Sequence, residues 1–452
     1  MCGIVAIRSR SNPVSCERLA AATKALQHRG PDGHGYWVAR DHGVGLGHQR
    51  LSVVDLETGA QPISSEDGSI VLAANGEFYG FERIRSGLEA RGHRFKTRSD
   101  SEIVVHLYEE MGERCVERLR GEFAFVLWDE RKGKLLAVRD RFGIKPLHYA
   151  EYNGELVLAS ESKALFAAGV PAAWNTESVF RALFLCIGQD RSLFEGIRQI
   201  PPGHLLTSID GTTRITQYWD AEYPVANEAP PDDEAACIET VRSLIDESVQ
   251  LRMRADVPVG CLLSGGLDSS AVLGFASRHC PGPMRAFTIG FDDPHFDESP
   301  LARETAAFVG AEFEVVDASK RCLADNFADS VAHGEIVVYN AHGTARYLLS
   351  RAVQRAGFKV VLAGEGADEL FAGYGFCSSA VLSRAPRGSI RGKLSMLRRL
   401  LRPASAAERS IRKTSPWLVR TGRLLDLSPD VMDPLARRME LMQSILSRDL
   451  IA

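Results

Sequence analysis

The sequence predicts an α/β protein in two parts, antiparallel sheet covered by helices followed by a parallel sheet with crossover helices. Three observations carry this. The first ~210 residues hold short strand runs and hairpin signals rather than alternating strands and helices. Beyond the middle of the chain, strand and helix patterns alternate, as parallel strands joined by crossovers require. Between them, 221–233 reads Ala-Glu-Tyr-Pro-Val-Ala-Asn-Glu-Ala-Pro-Pro-Asp-Asp, with three prolines and no apolar periodicity. The expected division is therefore 1–210 as one domain, 211–233 as a linker and 234–452 as a second domain.

In the first part, strand runs at 123–129 and 134–139 flank Glu130-Arg131-Lys132-Gly133. Runs at 147–152 and 155–159 flank Asn153-Gly154, a dipeptide suited to a two-residue hairpin. Helical patterns cover 101–110 and 178–186. In the second part a long helical stretch, 234–254, precedes the apolar run Val257-Pro258-Val259-Gly260-Cys261-Leu262-Leu263, which reads as a buried strand. Further strands are expected at 285–290, 312–316 and 359–363, with helices at 269–279, 299–309 and 341–356.

Composition agrees with a globular chain: 452 residues, 45% hydrophobic and 25% charged, with a formal net charge of -4. The balance gives no support for a nucleic-acid or membrane surface. Nine cysteines, an odd number with no C-x-x-C pair, argue against a disulfide framework or a thiolate zinc site. No apolar run approaches the ~18 residues of a membrane span and the start lacks a signal-peptide core, so a cytoplasmic location is the expectation.

Cys2 is the most suggestive single residue. Were Met1 removed, nucleophile and base would sit on one residue, because an α-amino group titrates near neutrality and can take the thiol proton. In the second part, Ser264-Gly265-Gly266-Leu267-Asp268-Ser269-Ser270 lies between the buried strand and a helix. Paired glycines admit an anion close to the backbone, hydroxyls donate, and the helix N-terminus adds partial positive charge, so phosphate or pyrophosphate binding follows. Asp268 would repel a bare phosphate unless a divalent cation lay between them, which implies Mg²⁺. Gly364-Glu365-Gly366-Ala367-Asp368-Glu369 follows the 359–363 strand; Asp368 could supply a further Mg²⁺ oxygen, and Glu365 is placed to handle protons. Ser160-Glu161-Ser162-Lys163 fits S-x-x-K but lacks the companion motifs of a serine acyl transferase.

These motifs together resemble the glutamine-hydrolysing asparagine synthetase family. The resemblance runs from Cys2 to about Tyr374 through Cys2-Gly3-Ile4, His28-Arg29-Gly30-Pro31-Asp32, Arg50-Leu51-Ser52-Val53-Val54-Asp55, Asn75-Gly76-Glu77 and Ser99-Asp100. It continues through the run from Arg139 to Leu147, Pro201-Pro202-Gly203-His204, the Ser264 loop and the Gly364 turn. It implies an αββα N-terminal-nucleophile glutaminase domain joined to an adenylating α/β domain of the pyrophosphate-loop type.

Carried over by residue, the resemblance makes Cys2 the thioester-forming nucleophile, with the Asn75 side chain and Gly76 N–H as donors to the oxyanion. Arg50 would hold the glutamine α-carboxylate. Leu51, Ser52, Val53 and Val54 would shape the pocket, and Glu77 and Asp100 would receive the α-ammonium. Leu262, Ile289, Ala363 and Gly364 would border ATP, Ser264 to Ser270 would hold pyrophosphate, Asp268 and Asp368 would hold Mg²⁺, and Glu365 would serve adenylate formation and ammonia attack. The implied activity is ATP-dependent amidation of a carboxylate, aspartate first, through β-aspartyl-AMP, with ammonia travelling inside the protein.

Gly80 and Ala363 stand where the family has Asn and Ser. Family members run on through a Pro-Phe-Leu-Asp-like helical region and a lysine, neither of which is found before Ala452. Either the sequence is truncated or the synthetase half is short of a catalytic cation. Two alternatives stay open: the same chemistry on another acid, such as a saccharide or secondary-metabolite carboxylate, or a glutamine-binding regulatory protein with an inactive synthetase half. A homodimer is what the resemblance suggests. The basic run 387–413 reads as a solvated helix or acceptor-domain surface, with an anionic partner as the other reading.

Overall fold

Seven residues, Gly3–Ser9, form the first strand (β1), and all seven are buried. The computed structural model describes residues 1–10, 12–183, 187–222, 233–338 and 340–374. After β1 come α1 (Cys16–Lys24), β2 (Gly33–Val38), β3 (Val44–Arg50), β4 (Ile63–Ser64), β5 (Ile70–Phe78), α2 (Phe81–Ala90), α3 (Ile103–Met111), β6 (Gly121–Asp129) and β7 (Lys134–Arg139). They are followed by β8 (His148–Tyr152), β9 (Glu155–Ala159), α4 (Ser162–Ala167), α5 (Thr176–Leu183), β10 (Ile197–Gln199), β11 (His204–Ile209) and β12 (Thr212–Gln217). The strands make two six-stranded antiparallel sheets, ordered β10-β8-β9-β1-β3-β2 and β12-β11-β7-β6-β5-β4.

Period-two alternation sorts the side chains into layers. Ile4 and Ala6 of β1 share a core with Val71, Ala73, Ala124 and Val126 of the second sheet. Val5 and Ile7 point the other way, onto Leu19 and Ala22 of α1 and Ala164 and Leu165 of α4. The outer face of the second sheet, including Leu72, Phe78 and Phe123, packs on Ile103, Val104 and Leu107 of α3. Helix, sheet, sheet, helix is the αββα arrangement of N-terminal-nucleophile hydrolases. Both faces of β1 are covered, so its near-continuous apolar run is what burial demands.

The remaining elements are α6 (Glu234–Arg252), β13 (Val259–Leu262), α7 (Leu267–His279), β14 (Arg285–Gly290), α8 (Ser299–Val309), β15 (Glu312–Asp317), α9 (Lys320–Asp325), α10 (Phe327–Gly334), α11 (His342–Arg355) and β16 (Val360–Leu362). Strands β13 to β16 form a parallel sheet in the order β15-β14-β13-β16. Cys261, Leu263, Leu273 and Ala302 pack on one side, and Phe287, Leu349 and Val353 on the other. Compactness divides the chain into Met1–Ala363 and Gly364–Ala452, and within the second unit the described residues form α12 (Ala367–Phe371).

Several elements differ from expectation. The second sheet continues past residue 210 through β12, inside the segment expected to be linker; 223–232 lie outside the described residues. The strand expected over 257–263 contracts to β13, since Pro258 has no N–H for a ladder. Helix α7 begins at Leu267, two residues before the expected 269, because Gly266 rather than a later serine occupies the cap. A short 3₁₀ turn, Asp100–Glu102, precedes α3 where one helix over 101–110 was expected. The helix expected over 178–186 begins at Thr176, and its last three positions fall outside the described residues, as does 387–413. The Asn153-Gly154 turn has φ of 50° and 77°, the left-handed pair of a two-residue hairpin. No helix of the described residues is long and apolar enough to cross a membrane.

One buried carboxylate organises the loop after β7. Asp140, 0% exposed, accepts the backbone N–H groups of Phe123 (3.3 Å), Phe142 (3.0 Å), Ile144 (3.0 Å) and Lys145 (3.0 Å). Arg139 ties the same loop down by donating to the carbonyls of Gly143 (2.8 Å) and Lys145 (3.1 Å). Asp140→Ala removes the carboxylate that serves four backbone donors, two of them in buried hydrogen bonds, so it should lower stability by about 3 kcal/mol. Urea denaturation measures this, and a change below about 1 kcal/mol would contradict the assigned role.

Candidate active site

Cys2 lies at the head of β1, between β3 and β9 in the middle of its sheet. Its Sγ accepts the N–H of Leu51 at 3.3 Å, and its carbonyl accepts Arg29 Nε at 2.9 Å. Arg29 is itself fixed by Glu161 at 2.6 Å, and Glu161 also receives His28 at 2.9 Å and Lys163 at 2.6 Å. Thus Glu161 and Lys163 of the S-x-x-K match serve as anchors, and the Ser160 hydroxyl accepts the N–H of Ile4 at 3.0 Å. Gly30 is forced by packing, because a Cβ there would lie 2.4 Å from the Gln49 carbonyl. Burial pushes the Cys2 thiol above its ordinary pKa. Burial pushes the Met1 amino group down to about 5.

A cavity of about 300 Å³ opens beside Cys2. Arg50, Leu51, Val53, Val54, Asn75, Gly76, Glu77 and Asp100 line it, which brings together eight of the nine residues expected to bind one small molecule. Ser52 departs from expectation. It does not line the cavity; its N–H goes to Asp32 at 2.8 Å, and its carbonyl accepts Lys359 Nζ at 3.3 Å. Asn75 is 1% exposed, and its Nδ2 is a buried donor with no partner, as a group awaiting a ligand oxygen would be. Only glycine fits next to it: at Gly76 (φ 153°) a Cβ would fall 2.1 Å from the Glu122 carbonyl oxygen of β6.

The cavity wall carries charge of both signs. The Arg50 guanidinium donates to the carbonyls of Val54 (3.4 Å) and Asp55, and Gly59 leaves it room, since a Cβ there would meet it at 2.4 Å. Elsewhere on the wall stand Glu77, Asp100 and Glu122, with Lys145 3.5 Å from Glu122. Burial, then the neighbouring Glu122 carboxylate, pushes Glu77 up to about 7. Burial also pushes Asp100 up to about 6, against the hydrogen bonds it accepts from Phe78 N–H (2.7 Å) and the Ser101 hydroxyl (3.3 Å). Burial is the main cause of both shifts, and the like charge of Glu122 adds to that of Glu77.

Glu122, Lys145, Gln61 and Lys359 also line the cavity and were not anticipated as site residues. Glu122 faces Glu77 through the β5–β6 register, which no local sequence signal reveals. Lys145 did have a signal, because it belongs to the Arg139–Leu147 motif. Lys359, Val360 and Val361 bring the start of β16 onto the cavity wall. Beside them Asp256, just before β13, accepts Asp55 N–H at 2.7 Å and donates its own N–H to the Val53 carbonyl at 2.9 Å. The cavity therefore abuts the N-terminal edge of the parallel sheet.

At the opposite edge of that sheet, the order β15-β14-β13-β16 places the change of direction between β13 and β16, where open α/β sheets bind ligands. The Ser264 loop leaves β13 there. Ser264 Oγ and Ser269 Oγ are 3.0 Å apart, and Gly266 N–H donates to Ser264 Oγ at 3.3 Å, so the loop is internally braced. Gly265 has φ 82°, and its bare Cα lies against Ala302 and Glu298, where a Cβ would come within 3.1 Å. Gly266 caps α7 with no side-chain hydrogen bond, which suits an anion at that terminus. Leu267 is 85% exposed, Asp268 stands in the first turn of α7, and Ser270 Oγ reaches Thr305 Oγ1 at 3.5 Å. Leu262 and Ile289 share the apolar cluster of Phe287, and Ala363 follows β16. In the second unit, Gly364 and Glu365 lead to Gly366 (φ 91°), which caps α12, with Asp368 in that helix's first turn.

Residues 1–219 match the glutamine amidotransferase domain family, and residues 240–451 the asparagine synthase family. Amidase chry2 of Gibberella zeae is 38% identical over 403 residues, 83% of this chain and 59% of that protein. Amidase chyE of Penicillium rubens is 39% identical over 383 residues, 81% of this chain and 56% of that one. A glutamine-hydrolysing asparagine synthetase of Sandersonia aurantiaca is 33% identical over 392 residues, 83% of this chain and 67% of its own length. The chain thus spans less than three-fifths of the length of the two amidases.

The crowding of Glu77 has a direct readout. Its carboxyl should titrate with a midpoint near 7 by ¹³C NMR, and Glu122→Gln should lower that midpoint by removing a like charge. An unchanged midpoint in the variant would contradict the coupling.

Proposed function

We propose that this chain, which belongs to the glutamine-hydrolysing asparagine synthetase family, releases ammonia from glutamine at Cys2 and delivers it to a carboxylic acid activated by ATP. The observation that carries the reading is the cavity in which Cys2, Arg50, Asn75, Glu77 and Asp100 converge. An α-amino acid with a side-chain amide has the complementary groups. Its carboxylate would meet Arg50, its ammonium would meet Glu77 and Asp100, and its amide carbon would meet the Cys2 sulfur.

With Met1 removed, the amino group of Cys2 would take the thiol proton. The thiolate adds to the amide carbon, and the oxygen that gains negative charge is met by the Asn75 Nδ2 and the Gly76 N–H. The C–N bond then breaks, ammonia leaves with the proton held by the terminal amine, and water hydrolyses the thioester to glutamate. Ammonia in bulk water at neutral pH would become ammonium and lose its nucleophilic lone pair. Delivery inside the protein avoids this, and the cavity wall formed by Val360 and Val361 supports it. From there to the Ser264 loop the route follows strands of about four residues, on the order of 13 Å.

Gly265, Gly266 and the start of α7 suit the phosphates of ATP, with Leu262, Ile289, Ala363 and Gly364 around the nucleoside. Asp268 and Asp368 are the carboxylates proposed for Mg²⁺, which would neutralise phosphate charge when bound, and Glu365 is the proposed proton carrier. The acid would become an acyl-adenylate, because AMP leaves far more readily than oxide, and ammonia would displace AMP to form the amide. With aspartate as the acid the intermediate is β-aspartyl-AMP. A second reading, another carboxylic acid, is supported by the higher identity to two proteins named amidases than to the asparagine synthetase.

Three outcomes are expected. Cys2→Ala should cut glutamine-dependent product formation on the order of 10³-fold or more while ammonium chloride still supports it; equal loss with both nitrogen sources would contradict the role of Cys2. Pyrophosphate exchange into ATP should depend on an added acid, aspartate for the first reading and a different acid for the second, and its absence with every acid would remove the ligase reading. Because an ionised Glu77 is needed to pair with the ammonium, KM for glutamine should rise as pH falls through about 7, and Glu77→Gln should flatten that dependence.

A further inference from the structure

On the helix-covered side of the second sheet, away from Cys2, four side chains from three separate elements converge. Glu66 stands in the turn between β4 and β5, His93 follows α2, and His106 and Glu109 lie one helical turn apart on α3. One potential ligand atom from each falls within 4.8 Å of all the others. His106 Nδ1 is 3.0 Å from Glu109 Oε2 and 3.7 Å from Glu66 Oε2, and His93 Nδ1 is 3.3 Å from Glu109 Oε2. Ligand atoms about 2.05 Å from a tetrahedral zinc ion stand about 3.3 Å from one another, so the cluster already has nearly the dimensions of an occupied site.

The outer contacts point the same way. His106, 1% exposed, turns its Nε2 toward the buried Glu102 carboxylate at 3.7 Å, and Glu102 is held by the N–H groups of Lys96 and Thr97, each at 2.7 Å. His93 turns its Nε2 to Glu110 at 3.2 Å, and Arg91 holds Glu110 at 2.6 Å. Both imidazoles therefore point Nε2 at a carboxylate and Nδ1 at the cluster. At His93 the hydrogen-bonded carboxylate fixes the tautomer that leaves the Nδ1 lone pair free and raises its basicity, which is how metal-ligating histidines are prepared; at His106 the Glu102 carboxylate lies beyond hydrogen-bond distance and acts through its charge alone.

We propose that Glu66, His93, His106 and Glu109 bind a divalent transition-metal ion of the zinc class, clamping the β4–β5 turn and the loop after α2 onto α3. Two neutral imidazoles and two carboxylates match a charge of +2, and imidazole with carboxylate selects zinc over Mg²⁺ or Ca²⁺. The assignment is independent of the chemistry at Cys2, and its role is structural.

The test is titration of the full chain with Zn²⁺ against a chromophoric chelator, and with Co²⁺ as a spectroscopic replacement. The expected result is one ion per chain at this cluster, with the weak d–d bands of tetrahedral Co²⁺ and no thiolate-to-cobalt charge-transfer band at one equivalent. His93→Ala should weaken binding about 100-fold, and Glu110→Gln, which leaves all four ligands in place, about 10-fold. Circular dichroism should show both variants folded, and Zn²⁺ should raise the unfolding temperature of the unaltered chain but not that of His93→Ala. Absence of binding, equal affinity in all three proteins, or a spectrum dominated by thiolate bands overturns the proposal.

Discussion

Cys2 has a single residue before it, so something other than local loop structure must hold it. Here that restraint is β1. Its seven residues are buried on both faces and paired on both edges, Gly3 to Arg8 with β3 and Val5 to Ser9 with β9. Freeing the terminus would require exposing Ile4, Val5 and Ile7, each worth about 1.5–3 kcal/mol of burial, as well as a ladder on each side. The terminal thiol is thus positioned by the centre of the domain, and Arg29 adds a polar lock on the Cys2 carbonyl.

The second constraint is that the parallel sheet meets the first domain beside the Cys2 cavity. Asp256 and Lys359 immediately precede adjacent strands of the parallel sheet, and both bind the pocket loop, Asp256 through Val53 and Asp55 and Lys359 through Ser52. Lys359 also pairs with Asp32 at 2.7 Å. Away from the pocket, Glu335 accepts the N–H groups of Ser162 at 2.7 Å and Lys163 at 2.8 Å, and Arg120 pairs with Glu247 at 3.0 Å. The loop that shapes the cavity is therefore held by residues just before two strands of the parallel sheet.

Most of the architecture was legible because local rules and burial agree. The Asn153-Gly154 turn, the strands Lys134–Arg139 and Glu155–Ala159, and the helix Ser299–Val309 have the bounds their residues imply. The cavity was legible through motifs: Cys2, Arg50, the pair Asn75 and Glu77, and Asp100 come from four separate parts of the chain and meet at one place. What escaped reading depends on pairing at long range. Glu122 reaches the cavity because β5 and β6 align Glu77 with Glu122, and Lys359 because β16 lies beside β13. The run Glu66, His93, His106, Glu109 has no metal-binding spacing in sequence, since three elements must fold together before the four side chains approach. Ser52 erred in the other direction: its place in the motif suggested a pocket wall, but its backbone is used for anchoring instead.

The proposed chemistry rests on the Cys2 thiol facing a cavity that would receive glutamine. The most direct measurement is intact and peptide mass spectrometry of the full chain after reaction with a diazoketone analogue of glutamine. The account predicts a single adduct per chain, on the sulfur of a peptide that begins at Cys2. Labelling that instead falls on another thiol such as the exposed Cys16, or no labelling of a chain from which Met1 has been removed, would contradict it.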